Sequence, residues 1–212
     1  MTNDSLRCIA RAAVLATLPL IAGCALMGGG GKPFALYQFG NGADAEPVAQ
    51  MAIQQPIVMI YPGSTFDRQS SGDRIVTATG NEVAYIAEAR WVAPAQELFD
   101  AAAIRHIENL SPQVRVIRAG APTKADYMLA IDVREFEASY PGGSGTAPEV
   151  IVHARAKLMR VADRTIIGDW PVVQRENAQE NRVTAIVAAF DRASNAVTTQ
   201  IAGNVRQALG AT

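Results

Sequence analysis

One cysteine near the N-terminus lies in a sequence context that is typical of lipid attachment. Cys24 follows the small residues Ala22 and Gly23, which a signal peptidase that cuts before cysteine requires. Arg7 and Arg11 precede an uncharged apolar run, in the order in which a secretory signal carries its basic and hydrophobic regions. The pattern predicts cleavage between Gly23 and Cys24 and a diacylglycerol on the thiol of Cys24.

The apolar run is too short for the alternative interpretation, which is a transmembrane helix. Residues 12–27 carry no charge, but they number only 16, whereas about 20 apolar residues are needed to cross a bilayer. Residues 28–31 are four consecutive glycines, and such a run ends a helix. We therefore expect residues 1–23 to be a lipoprotein signal peptide, residues 24–32 an acylated flexible tether, and residues 33–212 a single domain.

An acylated cysteine also predicts where the protein resides. A single acyl chain holds a protein on a membrane only weakly, whereas two or more hold it stably, and bacterial lipoproteins carry several, palmitate among them. Ala25 occupies the position at which an aspartate would favour retention in the inner membrane. We therefore expect an outer-membrane lipoprotein that faces the periplasm and is attached to the membrane through its N-terminal acyl chains.

Composition excludes several function classes. Removal of residues 1–23 takes the net charge from −1 to −2, so the chain lacks the basic character of a nucleic-acid-binding protein. Cys8 leaves with the signal peptide and Cys24 would be acylated, so no disulfide can form within one chain. The remaining 189 residues are long enough for one domain with a sizeable hydrophobic core.

Side chains that could carry catalysis are few, and no pattern brings them together. His106 lies on the apolar side of a predicted helix and His153 in a strand of alternating hydrophobicity, so both are expected to be structural. Ser144 lies in a glycine-rich loop that cannot hold a nucleophile firmly. Residues 28–32 lack the spacing of a phosphate-binding loop. We expect a protein without enzymatic activity, metal or cofactor; an envelope hydrolase with scattered catalytic residues is the less favoured alternative.

Arg90 and Trp91, followed by Pro94, form the most distinctive polar and aromatic group in the domain. Exposed tryptophan and arginine are enriched at protein interfaces, so both residues are candidates for contact with a partner. A structural interpretation remains open beside this one. In it, Trp91 closes the core at the end of a strand and Arg90 pairs with a nearby acid.

Hydrophobic periodicity predicts the elements that position these residues. Amphipathic helices are expected over residues 94–110 and 182–209, the first with Phe99 on its apolar side and Asp100 on its polar side. Irregular alternation near Glu135 predicts a bulge in one strand. Strands are expected at residues 34–39, 56–61, 73–79, 82–91, 114–117, 127–138, 150–161 and 165–174. The predicted class is α+β, with a mixed or antiparallel sheet of about seven strands and two main helices on one face.

Short motifs follow one another in a characteristic order along the mature chain. They are the tyrosine-containing strand at residues 34–39, Ile57-Val58, Asp67-Arg68, Ile75-Val76, Asn81-Glu82-Val83, Ala89-Arg90-Trp91, Tyr127-Met128-Leu129 and the helical segment 188–193. Through this order the chain resembles the ABC-type transport auxiliary lipoprotein family, the PqiC-like group. The likeness extends over nearly the whole mature chain. It departs from the family pattern at Gln69, where a proline usually follows the Asp-Arg pair closely.

This resemblance implies a part in lipid traffic across the cell envelope. Family members accompany an inner-membrane ABC permease, its ATPase and a periplasmic MCE-domain protein that carries lipid. The expected role is therefore a non-enzymatic auxiliary component that docks such a transporter. A periplasmic lipid-binding carrier, with an apolar cavity between the sheet and the long helix, is the main alternative. Self-association into a homo-oligomer is left open, and no nucleic-acid partner is expected.

Overall fold

Two helices and nine strands make up the described part of the chain. A computed structural model describes residues 33–41 and 55–210. The predicted signal peptide, the cleavage site, Cys24 and the tether lie outside these residues. The helices are α1 (Ala95–Glu108) and α2 (Val183–Gly210). The strands are β1 (Ala35–Tyr37), β2 (Ile57–Ile60), β3 (Thr65–Phe66), β4 (Arg74–Thr79), β5 (Glu82–Trp91), β6 (Val114–Ile117), β7 (Tyr127–Ser139), β8 (Glu149–Arg160) and β9 (Ile166–Asn177).

The long strand β7 organises the sheet. Along one edge it pairs with β8 in antiparallel register from end to end, and β8 pairs in turn with β9. Along the other edge it pairs in succession with β2, β3 and β4, all parallel to it. The sheet then continues from β4 through β5 to β1 on one side, and from β2 to β6 on the other. Every strand is thus connected to β7 directly or through one or two neighbours.

The bulge predicted near Glu135 is confirmed. Val133 of β7 pairs with Ala154 and Glu135 pairs with His153, which leaves Arg134 without an opposite residue on β8. Before the bulge, the buried side chains are those of odd-numbered residues; after it, they are those of even-numbered residues. An inserted residue has this effect because side chains alternate between the faces of a strand.

The helices cover one face of the sheet. Helix α2 packs on β8, β9 and α1, and α1 contacts β6. The inward side chains of β8 are fully buried beneath this layer: Val150, Val152, Ala154, Ala156 and Leu158. The opposing surface of α2 is a stripe of buried apolar residues with helical spacing: Ile186, Phe190, Ala193, Val197, Ile201, Val205 and Leu209. These contacts confirm the predicted α+β class and both predicted helices.

Aromatic rings fill the space between the sheet and the helices. The ring of Trp91 lies at the end of β5, with its centroid 4.9 Å from that of Phe39 and 5.3 Å from that of Phe190 on α2. Phe136 of β7 lies 4.9 Å from Phe190 and 5.5 Å from Phe66 of β3. Edge-to-face and tilted contacts of this kind are favourable beyond the apolar area that they bury. The cluster joins three strands to α2.

The structure adds one strand in a segment that lies outside the predicted strands. Within residues 62–72, Thr65 and Phe66 form β3 and pair with Asp132 and Val133 of β7. A two-residue strand is too short to leave a periodic pattern.

Among the described residues, no helix is both long enough and apolar enough to cross a membrane.

Candidate functional site

Arg90 and Trp91, the predicted contact pair, face opposite sides of the sheet. Trp91 is 2% exposed and belongs to the aromatic cluster of the core. The guanidinium group of Arg90 donates to both carboxylate oxygens of Asp73 at 3.0 Å, and it lies 4.2 Å from the ring centroid of Phe34. The structure therefore shows the packing role for Trp91 and the local acid pair for Arg90. Of the two residues, only Arg90 is within reach of a partner.

Asp100 forms a second polar site, which lies in the interior. The side chain is 8% exposed, and its Oδ1 atom accepts three hydrogen bonds from the loop between β2 and β3. The hydroxyl of Tyr61 donates at 2.6 Å, the hydroxyl of Ser64 at 2.6 Å and the backbone amide of Ser64 at 2.9 Å. Gln96 donates to the carbonyl oxygen of Ser64 at 2.5 Å. Helix α1 thus holds this loop against the sheet.

The sequence predicts Asp100 on the polar side of α1, and this prediction is wrong because the side chain is buried. The position lies at the boundary between the faces of α1, and the loop between β2 and β3 covers it. Burial, followed by the negative charge of Asp100, raises the pKa of Tyr61 above its ordinary value, so the phenol stays a donor. The hydroxyl of Ser64 is as buried as the carboxylate, which denies a substrate access to it. The arrangement is suited to fixing a loop and unsuited to nucleophilic catalysis.

Asp100→Ala is expected to lower the free energy of unfolding by about 1.5–3 kcal/mol, because it leaves three buried donors without their acceptor. Asp100→Asn keeps an acceptor oxygen and is expected to cost about half as much. Urea titration followed by circular dichroism measures both. Glu97→Ala is the matched control on the same helix and should cost less than about 1 kcal/mol. Equal losses for Asp100→Ala and Glu97→Ala would contradict the role assigned to Asp100.

The two histidines lie on opposite sides of the sheet. His106 is buried between the helices, with Nε2 3.4 Å from the hydroxyl of Thr199 on α2. Burial, and then the charge of Arg105, lowers the pKa of His106, so the imidazole is neutral at neutral pH. His153 lies on the outer face of β8, with Nδ1 3.5 Å from Glu135. Each ring thus contacts a neighbouring element, and the two do not share a site.

Ion pairs cross the outer face of the sheet, away from the helices. Arg155 of β8 forms a two-pronged contact with Asp169 of β9, at 2.6 and 2.8 Å, which lowers the pKa of Asp169. Arg134 pairs with Asp132 at 2.9 Å on β7. Both arginines, together with Asp132 and Lys157, border an open depression of about 300 Å³. Because both arginines are matched by a carboxylate, the surface is a network of exposed pairs and not a concentrated cationic site.

Among residues 33–41 and 55–210, no three His, Cys, Asp or Glu side chains are grouped as metal ligands would be. The candidate features of the structure are the buried aromatic cluster, the buried hydrogen bonds between Asp100 and the loop that joins β2 to β3, and the exposed Arg90.

The sequence model of the family described as the ABC-type transport auxiliary lipoprotein component matches residues 64–202. The chain belongs to this family. A search of curated proteins found no match. The matched region runs from the loop that Asp100 fixes into the second half of α2, and it includes β7, the bulge and all of α1. The resemblance stated from the sequence motifs is thereby confirmed.

Solved structures show the same fold. Protein XCC0632 from Xanthomonas campestris, assigned to the DUF330 family, superposes with a TM-score of 0.68 at 23% identity, over 84% of this chain and 98% of that one. The hypothetical protein CT253 from Chlamydia trachomatis gives a TM-score of 0.52 at 10% identity, over 74% and 99% of the two chains. At these identities the likeness concerns the fold alone.

One motif of the family resemblance has a clear structural role. Asp191 of α2 accepts a hydrogen bond at 2.6 Å from the amide of Gly40, whose carbonyl oxygen accepts from Arg105 of α1. Gly40 has φ +78°, and a Cβ there would lie 2.9 Å from the Cβ of Ala102. The neighbouring Arg192 donates to a carboxylate on β9. The Asp-Arg pair of α2 thus fixes the segment after β1 and the edge of the sheet.

Proposed function

We propose that the protein is a non-enzymatic docking component of an MCE-type ABC transporter that moves lipids between the inner and outer membranes. In this proposal residues 1–23 are removed as a signal, and acylated Cys24 anchors the chain, with palmitate among its acyl chains, to the periplasmic side of the outer membrane. Residues 24–32 are the tether and residues 33–212 the docking domain. The observation that carries the proposal is the family match over residues 64–202.

The packing of the domain favours docking over lipid carriage. A carrier needs an apolar cavity of the size of an acyl chain, and such cavities are enclosed and lined by apolar side chains. Between the described sheet and α2, the corresponding space is occupied by the rings of Trp91, Phe136 and Phe190, which are in mutual contact and at most 3% exposed. A surface that binds another protein requires no such cavity.

The test is recovery of the partner from native envelopes. The full acylated chain, tagged at its C-terminus and cross-linked in intact cells, is expected to co-purify an MCE-domain protein together with ABC permease and ATPase subunits. An unrelated outer-membrane lipoprotein with the same tag and abundance serves as the control. Recovery of no envelope transporter, or equal recovery by the control, would overturn the proposal.

The same purified material separates the alternatives. Native mass spectrometry that finds one phospholipid bound per chain, in the absence of any MCE protein, would instead favour the carrier. Labelling by a broad serine-hydrolase probe would favour the envelope hydrolase. For the docking component we expect neither bound phospholipid nor probe labelling.

A further inference from the structure

Exposed apolar side chains concentrate at the beginning of the described domain. Among residues 33–41 and 55–210, six large hydrophobic side chains are strongly exposed, and three of them lie together where β1 meets β5. These are Phe34 at 51%, Leu36 at 63% and Val92 at 54% exposed. With Arg90 they form a surface that we name the β1 patch. Single exposed hydrophobic residues are common on soluble domains, whereas a contiguous group marks a contact surface.

The strand register explains why these side chains share a face. Leu36 of β1 is opposite Arg90 of β5 in the parallel pair, and Trp91 on β5 points into the core. Side chains alternate along a strand, so Arg90 and Leu36 both point outward. The backbone amide of Val92 donates to the carbonyl oxygen of Tyr37 at 2.7 Å, which holds Val92 beside β1.

The polar members of this face are two arginines stacked on aromatic rings and the carboxylate of Asp73, which pairs with Arg90. Arg90 lies over Phe34, and Arg74 of β4, which is opposite Arg90 in the sheet, lies 3.6 Å from the ring centroid of Tyr85. Aromatic rings, aliphatic side chains and arginines together are the chemistry of the membrane interface, where rings lie at headgroup level and arginine reaches the phosphates.

Chain length limits the distance between the β1 patch and the anchor. Only nine residues lie between Cys24 and Phe34. The ten Cα-to-Cα steps that join the two residues span at most about 36 Å when fully extended, and a glycine-rich coil of that length averages about 17 Å. If Cys24 is acylated, as the proposed function requires, β1 is the described strand nearest the bilayer along the chain.

We infer that the β1 patch lies against the lipid bilayer, with Phe34, Leu36 and Val92 among the headgroups. Arg90, whose Nη1 is held by Asp73, presents its remaining N–H groups to the phosphates. This inference rests on the proposed anchoring at Cys24 and assigns lipid, not protein, as the partner of Arg90. A partner strand is a poorer occupant, because β1 has only three residues and offers few backbone hydrogen bonds for strand addition. The surface that docks the transporter then lies elsewhere on the domain.

Introduced cysteines test the inference, because the mature chain has no other free thiol: Cys8 leaves with the signal and Cys24 is acylated. Val92→Cys in the full acylated protein is labelled with a polarity-sensitive fluorophore and reconstituted into vesicles of phosphatidylethanolamine and phosphatidylglycerol. Ile166→Cys is the matched control, because Ile166 is 57% exposed but begins β9, far from β1 in the sheet order. Quenching by nitroxide-labelled lipids at two depths measures the position of each label.

For Val92→Cys we expect a label about 5–10 Å into the interface, with blue-shifted emission, and for Ile166→Cys a label in water. Equal quenching of both labels, or of neither, in chains that float with the vesicles would overturn the inference and leave the anchoring intact. Chains that fail to float would instead refute the anchoring. A Val92→Cys label shielded in detergent as protein concentration rises would assign the patch to a second copy, and shielding only by added MCE protein would assign it to the transporter.

Discussion

Trp91→Ala is expected to lower the free energy of unfolding by about 3–5 kcal/mol, the usual cost of removing a large aromatic side chain from a core. The indole contacts rings from both sides of the core: Phe39 after β1, Phe136 on β7 and Phe190 on α2. Its removal therefore leaves a cavity whose lining cannot close without moving α2. For a domain of this size, the melting temperature should fall by about 6–20 °C. Calorimetry and urea titration of the purified chain measure both quantities.

Two variants serve as controls for this prediction. Trp91→Phe retains a ring and should cost less than Trp91→Ala. Arg90→Ala, at the neighbouring outward position, removes an exposed ion pair with Asp73, which is worth about 0–1 kcal/mol. A cost below about 1 kcal/mol for Trp91→Ala would mean that the indole is dispensable for packing, and the contact role predicted for Trp91 would then regain support.

The long elements of this fold could be predicted because periodicity accumulates with length. The helix predicted at residues 182–209 is found at Val183–Gly210, and the strand predicted at residues 127–138 at Tyr127–Ser139. In each, the buried positions repeat over many residues. Even the bulge in β7 was predictable, because the change from odd to even burial is visible in the residue types themselves.

Local pattern could not decide the roles of Arg90 and Trp91. Ile86, earlier in β5, packs against the core, and so do Ala89 and Trp91, so the buried positions change from even to odd within the strand. The change occurs near Glu88, which has φ +57°, where the pairing with β4 is also irregular. A positive φ at glutamate leaves no recognisable sequence signal, and a shift of one residue exchanges the two faces of a strand.

The hydrogen bonds between Asp100 and the loop that joins β2 to β3 could not be predicted, for a different reason. Their acceptor lies on α1, and their donors, Tyr61 and Ser64, lie more than 35 residues earlier in the chain. An aspartate at the edge of an amphipathic helix is exposed in most proteins, so the sequence alone favours solvent. Only the parallel pairing of β2 and β3 with β7 brings that loop over the helix. The contact depends on the tertiary arrangement of the sheet and α1, so the sequence of any single element cannot predict it.

The fold and the proposed orientation on the membrane fit each other. The β1 patch belongs to the part of the sheet that joins β7 through β4 and β5, whereas α2 covers β8 and β9 on the other side of β7. Helix α2 packs on the face of the sheet that Trp91 lines, opposite the face of Arg90 and Leu36, so a domain held to lipid at β1 would leave α2 open to the periplasm. The exposed surface of α2 is therefore the first candidate for the proposed contact with an MCE protein, and cross-linkers placed there should capture it.

Cys24→Ala is expected to abolish anchoring in the outer membrane, because no acyl chain can be attached without the thiol. Each buried methylene of an acyl chain contributes about 0.8 kcal/mol, so several chains account for nearly all of the membrane affinity. The variant should accumulate as an uncleaved precursor that retains residues 1–23 and should be missing from the outer-membrane fraction of a density gradient. Mass spectrometry of the N-terminal peptide distinguishes precursor, mature and acylated forms.

Ala25→Asp is the matched control for this prediction, because it changes the neighbouring residue and keeps the thiol. It should be cleaved and acylated like the wild type, and in an envelope that sorts by the residue after cysteine it should move to the inner membrane. A Cys24→Ala chain that is still cleaved after Gly23 and still bound to the outer membrane would refute acyl anchoring, since no other cysteine remains in the mature chain. Loss of anchoring in Cys24→Ala, with acylation retained in Ala25→Asp, would assign membrane attachment to the thiol. A move of Ala25→Asp to the inner membrane would assign sorting to the residue beside the cysteine.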